Sequence, residues 1–164
     1  MIKAHEIAKT YDKAADTITL DETARNRRRI KMVSDGGITF LLDLPHAQLL
    51  RHGAGIVLDD GRIIEVRAQS EDLYEVRGRD AQHLLQLAWQ LGNRHLPAQI
   101  FDKGIRIRQD HVIKEMLLGL GAKVDDIVAP FDPEGGAYEG KQTASHDHAH
   151  SHSHAHSHHH HEDT

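Results

Sequence analysis

The sequence predicts an α+β chain. An all-β N-terminal domain comes first, then a ferredoxin-like βαββαβ domain, then a disordered histidine-rich tail. Three observations carry this. Residues 17–68 hold short, β-branched runs separated by Gly- and Asp-rich turns. From residue 73 the apolar period alternates between two and about 3.6, in the order strand, helix, strand, strand, helix, strand. After Pro130 and Pro133 the chain turns to Gly, Ala, Ser and His, from which no core can be built. The expected divisions are 1–72, 73–136 and 137–164.

Each element has a local reason. TITLD (17–21), RRIKMV (28–33), ITFLLDL (38–44), GIVLD (55–59) and RIIEVRA (62–68) read as strands. Asp60-Gly61 between the last two is a hairpin turn, because such a turn needs positive φ. Pro45 is expected to end a strand, since it has no N–H for a central ladder. LYEVRG (73–78) is a strand. DAQHLLQLAWQLG (80–92) is a helix with Asp80 as N-cap, Gly92 at the left-handed C-terminal position, and Leu84, Leu85, Ala88 and Leu91 on one face. AQIFD and IRIR form a hairpin around Asp102-Lys103-Gly104. HVIKEMLLGLG (111–121) is a second helix, capped by Asp110, with Val112, Ile113, Met116, Leu117 and Leu120 as its stripe. AKVDDIVAPF supplies the last strand.

Composition excludes several functions. The chain has 164 residues, no cysteine and a net charge of −5 with histidine neutral. Disulfides, thiol catalysis, Fe–S clusters and thiolate zinc sites are therefore out, and a dominant nucleic-acid footprint is not expected. No apolar run is long enough for a membrane helix. The first residues have no apolar core of a secretory signal, so the expected location is cytoplasmic.

No catalytic constellation emerges, and the chain is not expected to be an enzyme. Ser34 and Ser70 sit in turn-like contexts, no HExxH is present, and Asp59-Asp60 and Asp125-Asp126 read as solvated acids. Gly135-x4-Gly140-Lys141 imitates a phosphate loop, but Gln142 stands where a Ser or Thr would hold Mg²⁺. The strong signal is the C-terminal SHDHAHSHSHAHSHHHHEDT, with ten histidines: His146, His148, His150, His152, His154, His156, His158, His159, His160 and His161. Neutral imidazoles suit Ni²⁺, Cu²⁺, Zn²⁺ and Co²⁺. The interleaved Asp, Ala and Ser argue against a purification tag. His95, in GNRHLP just past a helix end, is a candidate ligand, although a lone histidine there is more commonly structural or on the surface. The same structural reading is kept for His5, His46, His52 and His83. His111, at the start of the second helix, is a further candidate, because the positive helix terminus favours neutral imidazole.

LGNRHLPAQI (91–100), RQDHVIKEML (108–117) and PFDPEGGAYEG (130–140), followed by the histidine-rich tail, resemble the urease accessory metallochaperones, which deliver nickel to apo-urease. DETARNRRRIKM and LDLPHAQLLRHGAGIVLDDGRIIEV extend the likeness into the N-terminal part. The resemblance implies a partner-binding N-terminal domain and a homodimer joined through the ferredoxin-like domains. It also implies a central Ni²⁺ ligand at His95 from each protomer, a second metal-binding histidine at His111, and as partners an accessory GTPase and the apo-urease complex. Some members have a histidine where this chain has Gln109, which shifts ligation towards the tail. Zn²⁺, Cu²⁺ or Co²⁺ are possible substitutes for Ni²⁺. Two other readings stay open: a divalent-metal buffer or store acting mainly through the tail, and a peptide- or nucleic-acid-binding adaptor. Arg27, Arg28 and Arg29 read as a solvated strand face, or else as a contact for an acidic partner.

Overall fold

The structure is a computed structural model and describes residues 1–136; the expected disorder of 137–164 and the tail histidines lie outside the described residues. The N-terminal part forms a six-stranded sheet from β1 (Lys3–Ala8), β2 (Asp16–Leu20), β3 (Asn26–Val33), β4 (Thr39–Leu49), β5 (Gly55–Leu58) and β6 (Ile63–Ala68), in the order β2-β6-β5-β1-β4-β3. One helical turn, α1 (Glu22–Arg25), joins β2 to β3. The C-terminal part is β7 (Ser70–Arg77), α2 (Ala81–Asn93), β8 (Gln99–Phe101), β9 (Gly104–Arg108), α3 (His111–Gly119) and β10 (Lys123–Pro130). Its sheet order, β10-β7-β9-β8 and antiparallel throughout, is the ferredoxin-like arrangement.

The six-stranded sheet curls into a half-barrel. Ile18 of β2 and Met32 of β3, from opposite ends of the strand order, share one core with Phe40, Leu42, Ile56 and Ile64. The two end strands are linked by α1 at one end and by the Ser34–Gly37 turn at the other. There the Asp35 amide donates to the Thr17 carbonyl (2.8 Å), and the Asp35 carboxylate accepts from the Thr17 hydroxyl (2.6 Å) and the Thr19 hydroxyl (2.9 Å). Asp16 accepts from Ser34 Oγ (2.5 Å) and the Gly36 amide (2.8 Å). β2 and β3 nevertheless share no ladder, which is the open side of the half-barrel.

Two N-terminal features depart from the sequence pattern. β1 carries few apolar residues, and its strand character comes from pairing with β5 on one side and, in parallel, with β4 on the other. The expected strand end at Pro45 is not there, because β4 continues to Leu49. β3 and β4 pair Arg29 with Asp43 and then Arg27 with Gln48, two steps on β3 against five on β4. Pro45 thus lies in a bulge, where no ladder N–H is needed. The Asp60-Gly61 hairpin forms as expected, with Gly61 at φ +88°.

Both C-terminal helices pack on one sheet face, against Tyr74, Val76, Ile105 and Ile107. Their expected stripes need correction. On α2 the buried residues are His83, Leu84, Leu87 and Leu91, while Leu85 is exposed. On α3 only Ile113 and Leu117 are buried; Met116 is partly buried, and Val112 and Leu120 are exposed. A four-stranded sheet is too narrow to cover wider stripes on two short helices.

Arg25 joins the two parts. Its fully buried guanidinium donates from Nε to the Leu20 carbonyl (3.2 Å), from Nη1 to the Leu50 carbonyl (3.1 Å) and Asp132 Oδ1 (2.9 Å), and from Nη2 to the Phe131 carbonyl. Arg51 reaches Asp132 and the Pro133 carbonyl, and Arg108 pairs with Glu22 and Glu71.

Removing one partner of a buried ion pair costs about 3–5 kcal/mol. Arg25→Ala is expected to lose stability on that scale and, because each part has its own core, to split one calorimetric transition into two.

The Asp35 carboxyl sits below the usual carboxylate range, chiefly because the Thr17 hydroxyl donates to its charged form. Asp16 is lowered too, chiefly by the Ser34 hydroxyl. A pKa lower in the folded than in the unfolded state gives stability that is present above the unfolded value and lost as pH falls through the folded one. Urea denaturation between pH 7 and pH 2 should therefore show a shallower acid limb, below about pH 4, in Asp35→Asn than in the parent.

Candidate metal centre

The site is built at the C-terminal end of α2. Asp80 caps the helix by accepting from the His83 amide (2.8 Å). Within Ala81–Asn93 there is no charged side chain. Its outward face includes Gln82, Leu85, Gln86 and Trp89, with Leu85 71% and Trp89 68% exposed. Surface helices ordinarily put charge on the solvent side, so this face is unusual for one meant to stay in water.

The helix ends differently from the expectation. Gly92 is not left-handed; it lies inside the helix, and Arg94 is the C-cap. The left-handed residue is His95, at φ +56°, the one non-glycine with positive φ among the described residues. Its amide donates to the Gly92 carbonyl (3.0 Å), Leu96 packs on the core, and Pro97 follows. This is a left-handed helix stop, a position at which glycine is the usual occupant. A side chain in that conformation costs about 1–2 kcal/mol. His95 thus keeps its imidazole at a strained position and holds it exposed, clear of its own domain.

The chain after β10 braces the loop behind His95. The Asp132 amide donates to Gln99 Oε1 (3.1 Å), the Glu134 amide to the Ala98 carbonyl (2.8 Å), and the Ile100 amide to Glu134 Oε1 (3.0 Å). The root of the tail is therefore anchored at residues three to five positions beyond His95.

Other predicted residues fall elsewhere. His111 is the exposed first residue of α3, behind Asp110, whose Oδ1 accepts from the amides of Val112 (2.9 Å) and Ile113 (3.2 Å). Gln109 donates to the Leu73 carbonyl (3.2 Å), a structural tie. His83 is buried, accepting at Nδ1 from the Arg79 amide (3.0 Å) and lying 2.8 Å through Nε2 from the Leu120 carbonyl, so it fastens α2 to the end of α3. His52 accepts from the Ala68 amide (3.0 Å), His5 sits 2.9 Å from the Asp43 carbonyl, and His46 is exposed. Among the described residues no three His, Cys, Asp or Glu side chains converge to hold a metal ion. His95 stands as a single exposed candidate, and His146 to His161 lie outside the described residues.

Comparison with known proteins identifies the chain's relatives. The UreE urease accessory protein N-terminal domain model matches residues 1–69, and the corresponding C-terminal domain model matches residues 71–161. The chain belongs to the UreE urease accessory protein family. It is 66% identical over 147 residues to the urease accessory protein UreE of Chelativorans sp. (strain BNC1), covering 90% of this chain and 91% of that one. It is 58% identical over 141 residues to the namesake from Rhodopseudomonas palustris (strain HaA2), covering 84% and 66%. The urease accessory protein UreE 1 of Brucella suis biovar 1 is 49% identical over 140 residues, 85% of each chain. Family membership makes this chain an accessory protein, not an enzyme. No described helix is long and apolar enough to cross a membrane.

Reasoning from sequence missed the neutral α2 face and the strain at His95. The absence of charge over 81–93 and the exposed Trp89 were signals for the first; GNRHLP, with no glycine at the stop, was a signal for the second.

Glycine relieves a left-handed position at the expense of a more flexible unfolded chain. His95→Gly should therefore unfold in urea as a protein more stable than His95→Ala, by about 1 kcal/mol.

Proposed function

We propose that this chain is a metallochaperone that carries Ni²⁺ as cargo for assembly of the urease active site, working as a homodimer. His95 from each protomer forms the selective site, and imidazoles of His146 to His161 complete the shell and add capacity. The observation that carries this is the end of α2, where an exposed, uncharged face stops at a histidine fixed in a left-handed turn. Family membership supplies the urease setting.

One imidazole is too few ligands for a transition metal, and a two-fold axis doubles it. Two chains of net charge −5 repel at long range, so a face free of charge is the natural place to meet. Trp89 and Leu85 supply the apolar area, and Gln82 and Gln86 supply polar contacts that need no opposite charge. Glu134, bonded to Ala98 and Ile100, roots the tail beside this site. Exchange among many weak imidazoles moves the ion onward without one deep trap. His111 serves as a secondary or transfer position. Gln109, two residues before it, is engaged on Leu73 and supplies no imidazole there.

In this reading the domain of residues 73–136 holds the metal, and residues 1–72 meet partners: the urease accessory GTPase and the apo-urease complex, in the cytoplasm. Zn²⁺, Cu²⁺ and Co²⁺ compete for the same ligands.

Nickel titration by calorimetry on the parent, His95→Ala and a chain ending at Ala144 tests this. The tightest event should weaken about tenfold or more, some 1.4 kcal/mol, in His95→Ala, and by less in the truncated chain, which keeps the central pair of ligands. Trp89→Glu should lose the same event and sediment as a monomer. If the tightest event survives His95→Ala and vanishes on truncation, the chain is a buffer acting through its tail. Lowering the pH should weaken every step, because protonated imidazole has no lone pair to donate.

A further inference from the structure

We propose that β3 is a docking strand for an extended, acidic segment of a partner protein. The inference rests on the reading of the N-terminal domain as the partner-binding part, and it names the strand and the chemistry of what binds.

β3 reads NRRRIKMV, with four cations and no acid in eight residues of a chain whose net charge is −5. It ends the strand order of its sheet, so its outer edge carries no ladder partner. Arg27, Arg28, Arg29 and Lys31 are all exposed. Arg29 is 3.9 Å from Asp43; Arg27, Arg28 and Lys31 have no ion pair or side-chain hydrogen bond among the described residues. Other arginines of the domain are engaged, Arg62 with Asp60 and Arg67 with Glu65, and Arg25 in its buried clasp. Among the described residues the unpaired arginines of this domain are therefore all on one strand.

A charged edge also serves to discourage aggregation. Two features go beyond that need. The opposite end of the sheet, β2, is protected by another device: the Asp35 turn covers its threonines. The bulge in β4 places Pro45, His46 and Ala47, all exposed, opposite Arg28, and bulges of this kind re-aim side chains at sheet rims. The edge without a ladder gives an added strand its hydrogen bonds, and the exposed cations select carboxylates on it.

The test uses the full chain and a fluorescent peptide alternating Glu and Val, read by anisotropy at about 50 and 200 mM salt. The peptide should bind, and bind more weakly at the higher salt. Arg27→Glu/Arg28→Glu/Lys31→Glu should lose about tenfold or more in affinity, while Arg27→Lys/Arg28→Lys keeps most of it. Methylating alternate peptide nitrogens should also weaken binding, because strand addition needs those N–H groups. Equal binding by the charge-reversed and parent proteins overturns the proposal. So does absence of peptide binding, or tighter binding of a single-stranded RNA or of phosphatidylserine vesicles than of the peptide. Nickel titration of the charge-reversed protein should be unchanged. Peptide binding that persists in His95→Ala separates a failure of the nickel reading from a failure of this one.

Discussion

Arg25 is buried where the half-barrel meets the chain leaving β10, and a buried guanidinium dictates what surrounds it. Each N–H without an acceptor would cost more than a well-made hydrogen bond returns, so backbone carbonyls and a carboxylate must converge. Leu20 and Leu50 supply carbonyls from the N-terminal domain; Phe131 and Asp132 supply a carbonyl and a carboxylate from the far end of the C-terminal one. The acceptors lie up to 107 positions from Arg25 in sequence, so the clasp forms only when both domains are folded. It also explains α1, a single turn capped by Asp21, which delivers Arg25 inward before the chain reverses into β3.

Two places break the local rules that the rest of the chain follows, and they are adjacent. α2 presents Trp89 and Leu85 to solvent with no charge around them, and His95 occupies a position that glycine would fill without strain. Conflicts between local preference and observed structure are expected where function has displaced stability. A neutral, partly aromatic face suits the proposed pairing, and an exposed histidine suits the proposed shared ligand.

The regular elements were legible because their signals are local. Asp80 and Asp110 cap helices, Asp60-Gly61 turns a hairpin, and β7 to β10 with their two helices follow the apolar periods. What was missed depends on distant partners. β1 is a strand because β4 and β5 flank it, and Pro45 is tolerated because the register slips beside it. Leu85 carries the same apolar signal as Leu84, and only the width of the sheet decides which is covered. Gly92 looked like the natural stop, yet the helix runs two residues further to its cap at Arg94 and leaves the left-handed position to His95. At the candidate site the histidine itself was legible and its backbone was not.

The clasp and the candidate site share one hydrogen-bonded segment. Arg25 immediately precedes β3 and grips Phe131 and Asp132. Asp132 and Glu134 in turn fasten Gln99, Ala98 and Ile100, the residues that follow the turn holding His95. Hydrogen bonds thus connect the residue before β3, through one buried guanidinium and a four-residue segment, to the loop behind His95. The same segment is the root of the histidine-rich tail. β3 is thereby connected to the backbone that follows His95 and to the start of the tail. Loosening Arg25 would leave two intact cores while uncoupling β3 from the loop behind His95. That makes Arg25, which faces no solvent, the residue on which the relative placement of β3 and the candidate site depends.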